Sequence, residues 1–202
     1  MTQKKLGLYV ALALVLGTAV LSSRAQVDPE WLKSWIEARQ AKPDAVHTHG
    51  RISSADEPGI AMMVRGQIKT PNESPAAGVL VHAYHRDHHG LEYGAGDKAL
   101  TTWRLNGWAR TDANGRFEFE TIRPAPDHLG REAAHIHFTL VSEAFGRQWA
   151  PKVFFSDDPL VTKRQRRESD QAGEYGAVRE VRTEDGVQYV RVMMRLKEQG
   201  DF

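Results

Sequence analysis

The chain has 202 residues, with 27 Lys and Arg against 26 Asp and Glu, a formal net charge of +1 and no cysteine. Without cysteine there are no disulfides, thiolate-zinc sites, iron–sulfur clusters or cysteine nucleophiles, and the nearly balanced charge gives no basic footprint for nucleic acid. This length suits one domain with a sizeable core.

Lys4 and Lys5 precede an uncharged apolar run from Leu6 to Leu21, and the small residues Ser23 and Ala25 follow just before Gln26. That is the pattern of a secretory signal peptide over residues 1–25. It predicts an exported, periplasmic protein with no stable membrane association after cleavage. A retained anchor is the alternative, since the run is only slightly short for a span. Removing residues 1–25 takes away Lys4, Lys5 and Arg24 and moves the formal charge from +1 to −2.

Asp28-Pro29-Glu30 predicts a helix start: Asp can cap, Pro fits the first turn and Glu suits its positive end. Trp31, Leu32, Trp35 and Ile36 form one apolar stripe at helical spacing. From Lys42 to Gly59 the chain is polar, and His47-Thr48-His49 within it reads as surface loop. Residues 26–59 are thus a helix and a loop ahead of the main domain.

From Ile60 onward the pattern is β, and residues 60–202 form the domain. Met62, Val64 and Ile68 alternate with polar residues. Gly78 to Tyr84 reads as a strand. Asn106 to Thr111 and Arg116 to Ile122 flank the turn Asp112-Ala113-Asn114-Gly115, with Phe117 and Phe119 facing inward. Further strands are Ala134 to Val141, Trp149 to Phe155 and Gln188 to Leu196, while the charged stretch Lys163 to Gly176 reads as a surface loop. About eight short strands with no internal helix predict an all-β fold, an antiparallel β-sandwich.

His135-Ile136-His137-Phe138 is the most informative stretch for function. Residues i and i+2 of a strand share a face, so both imidazoles would project side by side from a rigid element. Two metal ligands are held in this way, though a pair of hydrogen-bonded strand histidines would show the same spacing. His82, His85, His88 and His89 form a second cluster, but they point in incompatible directions and read as surface or supporting histidines.

The motifs have a telling order. Gly66-Gln67-Ile68, Gly78-Val79-Leu80-Val81-His82-Ala83-Tyr84 and Asp87-His88-His89-Gly90-Leu91-Glu92-Tyr93 come first. Thr111-Asp112-Ala113-Asn114-Gly115-Arg116-Phe117-Glu118-Phe119, Thr121-Ile122-Arg123-Pro124, His135-Ile136-His137-Phe138 and Phe154-Phe155-Ser156-Asp157-Asp158-Pro159 follow. In this order and spacing they resemble the intradiol ring-cleavage dioxygenases, the protocatechuate and catechol dioxygenase family, over roughly residues 60–162. The resemblance implies one Fe(III) held by two tyrosines and two histidines. The histidines match His135 and His137, and the first tyrosine matches Tyr93, which stands slightly further past Gly90 than the pattern expects. The second tyrosine belongs in the turn Pro124-Ala125-Pro126-Asp127-His128-Leu129-Gly130-Arg131, which contains none. His128 or Asp127 could take its place, and the spacing to His135 favours His128. The ligand set is then Tyr93, His128, His135 and His137.

Fe(III) is hard and favours anionic oxygen with imidazole in support. Tyrosine titrates near ~10 in water, but a bound cation deprotonates a coordinating group, so Tyr93 would bind as phenolate. The resemblance implies a catechol-type aromatic diol and O2 as substrates, with ring opening between the hydroxyl-bearing carbons. His128 would also release and accept the proton that the missing tyrosine handles. The family's charge-stabilising arginine is nearest to Arg131, one residue out of step, with Glu132 where the arginine is expected. Lys152 replaces a glutamine and could meet an acidic substrate or be solvated. The alternatives are an exported transthyretin-like or carboxypeptidase-regulatory-like sandwich without catalysis, and a divergent metal site with another reaction. Oligomeric state stays open, a homo-oligomer included.

Overall fold

The computed structural model describes residues 27–93 and 103–202, so the signal-peptide reading of residues 1–25 lies outside the described residues. Among those described, no helix is long and apolar enough to cross a membrane.

The chain opens with α1 (Pro29–Gln40), where Asp28 caps by accepting from the Trp31 backbone N–H at 2.9 Å. Among the described residues eleven strands follow: β1 (His49–Arg51), β2 (Ala61–Lys69), β3 (Leu80–His85), β4 (Leu105–Arg110), β5 (Arg116–Ile122), β6 (His135–Ser142), β7 (Gly146–Trp149), β8 (Val153–Phe155), β9 (Val178–Arg179), β10 (Val181–Glu184) and β11 (Val187–Arg195), with α2 (Lys163–Ala172) between β8 and β9. They form two sheets, ordered β1-β5-β2-β11-β10 and β4-β3-β6-β8-β9, with β7 paired to β6. The core lies between them. Ile136, Phe138 and Leu140 of β6 pack there with Phe117 and Phe119 of β5 and Val64 and Ile68 of β2.

The structure corrects the sequence reading at several points. The sandwich is mixed rather than antiparallel, because β1 with β5, β2 with β11, and β8 with β9 run parallel. A period of two tells which face a residue takes and nothing about strand direction. The stretch Trp149 to Phe155 divides into β7 and β8 at Pro151, which has no N–H to donate to a ladder. The charged segment from Lys163 is a helix, not a loop. Its signal is the capping box of Thr162 and Gln165, and it shows no apolar stripe because Ser169 is its buried residue. Finally, His82 and His85 are fully buried rather than superficial. β3 lies between β4 and β6 within its sheet, and its two faces are covered by the opposite sheet, where His85 meets Thr121, and by α1, where His82 meets Trp35. His85 Nε2 meets Thr121 Oγ1 at 2.6 Å, linking the two sheets, while its Nδ1–H donates to the Arg86 carbonyl at 2.6 Å.

His49, expected in a loop, is the first residue of β1, and Glu120 receives its ring at 2.7 Å. The helix aromatics pack as expected. Trp35 and Ala38 join Tyr84, Trp103 and Trp108 in a second apolar cluster, which covers the outer face of the β3–β6 sheet.

Candidate metal centre

On β6 the core-facing residues are Ile136, Phe138 and Leu140. His135 and His137 therefore stand together on the opposite face, as the alternation requires. Their Nε2 atoms are 2.8 Å apart. His135 is buried, and its Nδ1–H donates to the Ala133 carbonyl at 2.7 Å. That bond fixes the tautomer and leaves an Nε2 lone pair facing His137. Burial lowers the pKa of His135 to about 4 and that of His137 well below the ordinary imidazole range, so both rings are neutral donors at neutral pH. Metal–nitrogen bonds of about 2.0–2.1 Å at a right angle place two nitrogens about 2.9 Å apart. The pair thus fits adjacent positions on one ion.

Tyr84 is opposite His137 in the β3–β6 register. Its ring stacks on His137 with centroids 4.4 Å apart and planes 2° from parallel, and on Trp103 with centroids at 3.8 Å. Its hydroxyl accepts from Trp31 Nε1–H at 3.1 Å. Burial pushes the Tyr84 phenol far above its ordinary pKa. With its ring flat on His137 and its hydroxyl held by Trp31, Tyr84 is a wall that orients His137 rather than the missing second tyrosine.

Two carboxylates flank the pair. Glu132 Oε2 is 3.9 Å from His135 Nε2, and Glu92 Oε1 is 3.9 Å from His137 Nε2. Arg86 lies between them, 3.3 Å from Glu132 and 3.7 Å from Glu92. Lys152 donates to Glu132 Oε1. Burial alone would raise the Glu132 carboxyl, but the Lys152 hydrogen bond and neighbouring positive charge hold it below the usual carboxylate range. Among the described residues, no group of three or more His, Asp or Glu side chains is placed to hold a metal ion.

The other residues singled out from the sequence are placed differently. Tyr93 is 40% exposed, and His128 and Arg131 are exposed on the turn after Pro124. Among the described residues, no hydrogen bond, ion pair or ring stack joins Tyr93 or His128 to the histidine pair. Asp127 closes its own turn, with Oδ1 accepting from the backbone N–H groups of Arg131 and Glu132. These bonds lower its pKa. Lys152 is held by Glu132. Glu92 approaches His137 and Arg86 lies against Glu92 and Glu132; sequence reasoning places Glu92 within the motif ending at Tyr93 but gives neither residue a role. Their one sequence signal is the loop between β3 and Tyr93.

Gly90 joins this loop to the 124–131 turn. Its φ is +81°, and a Cβ there would lie 2.2 Å from the Pro126 carbonyl oxygen and 2.7 Å from the His128 nitrogen. Gly90→Ala is expected to cost about 1–2 kcal/mol from the left-handed backbone alone, and more from the backbone clash. Thermal unfolding of the variant checks this, and an unchanged midpoint would show that the two loops do not meet as described.

Comparison with known proteins gives a consistent pattern. A family model described as dioxygenase matches residues 36–172. Catechol 1,2-dioxygenase 2 of Acinetobacter lwoffii is 29% identical over 129 residues, covering 56% of this chain and 46% of that protein. The protocatechuate 3,4-dioxygenase beta chain of Burkholderia cepacia is 26% identical over 123 residues, covering 56% and 52%. The chain spans about half the length of these curated relatives. In fold it is similar to catechol 1,2-dioxygenase from Pseudomonas arvilla C-1, with a TM-score of 0.58 at 22% identity over 85% of this chain and 67% of that one. It is also similar to the dioxygenase domain of a dioxygenase–carbohydrate-binding fusion from Streptomyces sp. SirexAA-E, with a TM-score of 0.56 at 22% identity over 77% and 91%.

Proposed function

Because the chain belongs to the intradiol ring-cleavage dioxygenase family, we propose that it binds iron at His135 and His137 and opens a catechol-type aromatic diol between its hydroxyl-bearing carbons with O2. The observation that carries this reading is the histidine pair: two neutral rings with Nε2 atoms 2.8 Å apart, one locked by the Ala133 carbonyl.

Ferric iron is the cofactor in this reading, and when bound it supplies the electronic route by which a chelated diolate reacts with dioxygen. The remaining donors come from the two loops that meet at Gly90, where Tyr93, His128, Glu92 and Glu132 stand. The protein's own part is orientation and charge. Ala133 and Tyr84 fix the two imidazoles, so little entropy is lost when they bind. Arg86 and Lys152 are paired with Glu92 and Glu132, so the charges flanking the site balance and the two cations hold the carboxylates in place. His128 and Arg131, exposed on the turn, are the proposed proton carrier and the proposed partner for charge on the opening ring.

Iron-reconstituted full-length protein is expected to consume O2 when catechol is added and to release a muconate-type diacid, as followed by an oxygen electrode and ultraviolet absorbance. Iron uptake without oxygen consumption across a panel of aromatic diols would refute ring cleavage.

A further inference from the structure

We propose that the buried Asp158 carboxylate acts on His135 through the Ala133–Ala134 peptide unit, as a positioning residue that fixes the ring and strengthens its Nε2 as a donor. The inference rests on the reading that the histidine pair binds iron.

Asp158-Pro159 opens a turn, with Asp at its first position and Pro at its second. The Val161 N–H closes the turn on the Asp158 carbonyl at 3.2 Å, and Asp158 Oδ1 accepts from the Leu160 N–H at 2.8 Å. Turn chemistry accounts for that oxygen but not for the other. Oδ2 accepts from the Ala134 N–H at 2.8 Å, a bond between residues 24 apart in sequence. β8 sets Phe154 opposite His135, and this pairing brings the turn beside the start of β6. The neighbouring Asp157 stays outside, where Arg123 donates to it at 2.8 Å.

The Ala134 N–H and the Ala133 carbonyl are two ends of one peptide unit, joined by a C–N bond of partial double-bond character. That carbonyl accepts the His135 Nδ1–H at 2.7 Å. The run is therefore continuous from carboxylate to peptide N–H, peptide carbonyl, imidazole N–H and finally the Nε2 lone pair facing His137. Each bond polarises the next, the more so away from water, and Asp158, Ala133, Ala134 and His135 are all at most 4% exposed. Both bonded partners of the carboxylate are neutral backbone N–H groups, so its charge acts through them. Arg166 stands close by but donates to the carbonyls of Ser156 and Asp158, at 2.9 and 3.4 Å, and not to the carboxylate. His85 offers an internal comparison. Its Nδ1–H also donates to a backbone carbonyl, that of Arg86, but the N–H of that peptide unit donates to the neutral Leu91 carbonyl at 2.9 Å.

The test compares wild type with D158N, which keeps the shape of the side chain and removes its charge. In nuclear magnetic resonance spectra of the metal-free full-length protein, the His135 Nδ1–H resonance is expected to move upfield in D158N, while that of His85 stays in place. An unmoved His135 resonance in folded D158N overturns the proposal. Iron affinity, measured by competition with citrate, is expected to fall by about 10- to 100-fold, the range carried by groups that orient ligands. Equal affinity overturns the proposal and leaves iron binding standing. If wild type takes up no iron and the resonance still moves, the polarised peptide stands and the iron reading falls. Should D158N fail to fold by circular dichroism, wild type still decides. Coupling across the hydrogen bond between the Ala134 amide nitrogen and the Asp158 carboxyl carbon supports the proposal, and its absence overturns it.

Discussion

His137→Ala is expected to reduce metal affinity by at least about 100-fold, because losing an imidazole that coordinates directly exceeds the 10- to 100-fold carried by groups that only orient ligands. His137 suits this test because it is the less buried of the two rings, its side chain being 20% exposed. Its removal frees one face of Tyr84 without opening the core between the sheets. His135→Ala should abolish binding as completely but also destabilise the fold. Its ring packs 5.4 Å from that of Phe154, and its removal leaves the Ala133 carbonyl without its donor, a loss of about 1–3 kcal/mol. Calorimetric titration with a divalent ion, beside unfolding curves, separates the two effects. Wild-type affinity in His137→Ala would mean that the 2.8 Å contact is only a hydrogen bond between strand histidines.

Much of this site was legible in the chain. The spacing of His135 and His137 in an apolar run gave both the strand and the shared face. The capping Asp28, the Asp112–Gly115 turn and the inward Phe117 and Phe119 likewise followed from local chemistry. What failed needed information beyond the local pattern. Val190, Val192 and Met194 show the inward face of β11 but not that it runs parallel to β2, since strand direction is settled by the path of the whole chain. The burial of His82 and His85 follows from the position of β3 within its sheet and from the covering helix. Position in a motif drew attention to Tyr93, while the approach of Glu92 to within 3.9 Å of His137 depends on how two distant loops meet and has no local signal of its own.

Acid should weaken the fold through His82. This ring is fully buried among Trp35, Trp103, Trp108 and Tyr84, with the Trp108 centroid 4.4 Å away. Its Nε2–H donates to Asn106 Oδ1 at 3.1 Å, and Asn106 Nδ2 donates in turn to the Trp103 carbonyl at 2.7 Å, which fixes the direction of the amide. Among the described residues Nδ1 is buried with no partner, so an added proton finds no acceptor among them. Burial lowers the pKa to about 4 from an ordinary 6.5, against the opposing pull of Asn106. The sign follows from linkage. Above pH 6.5 the ring is neutral in folded and unfolded chains, and stability is complete. Below it the unfolded chain takes up a proton that the folded one refuses, and stability falls until the folded ring titrates near pH 4. Between pH 6.5 and pH 5 this single ring should remove about 2 kcal/mol. His85 is also fully buried, with a pKa near 4 for the same reason, and adds a loss in the same direction. His82→Phe keeps an aromatic filling but deletes the titration. It should lower stability at every pH through the stranded Asn106 acceptor, and it should flatten the pH slope of urea unfolding by close to one proton. A slope unchanged from wild type between pH 7 and pH 5 would show that His82 is not held neutral in the folded protein.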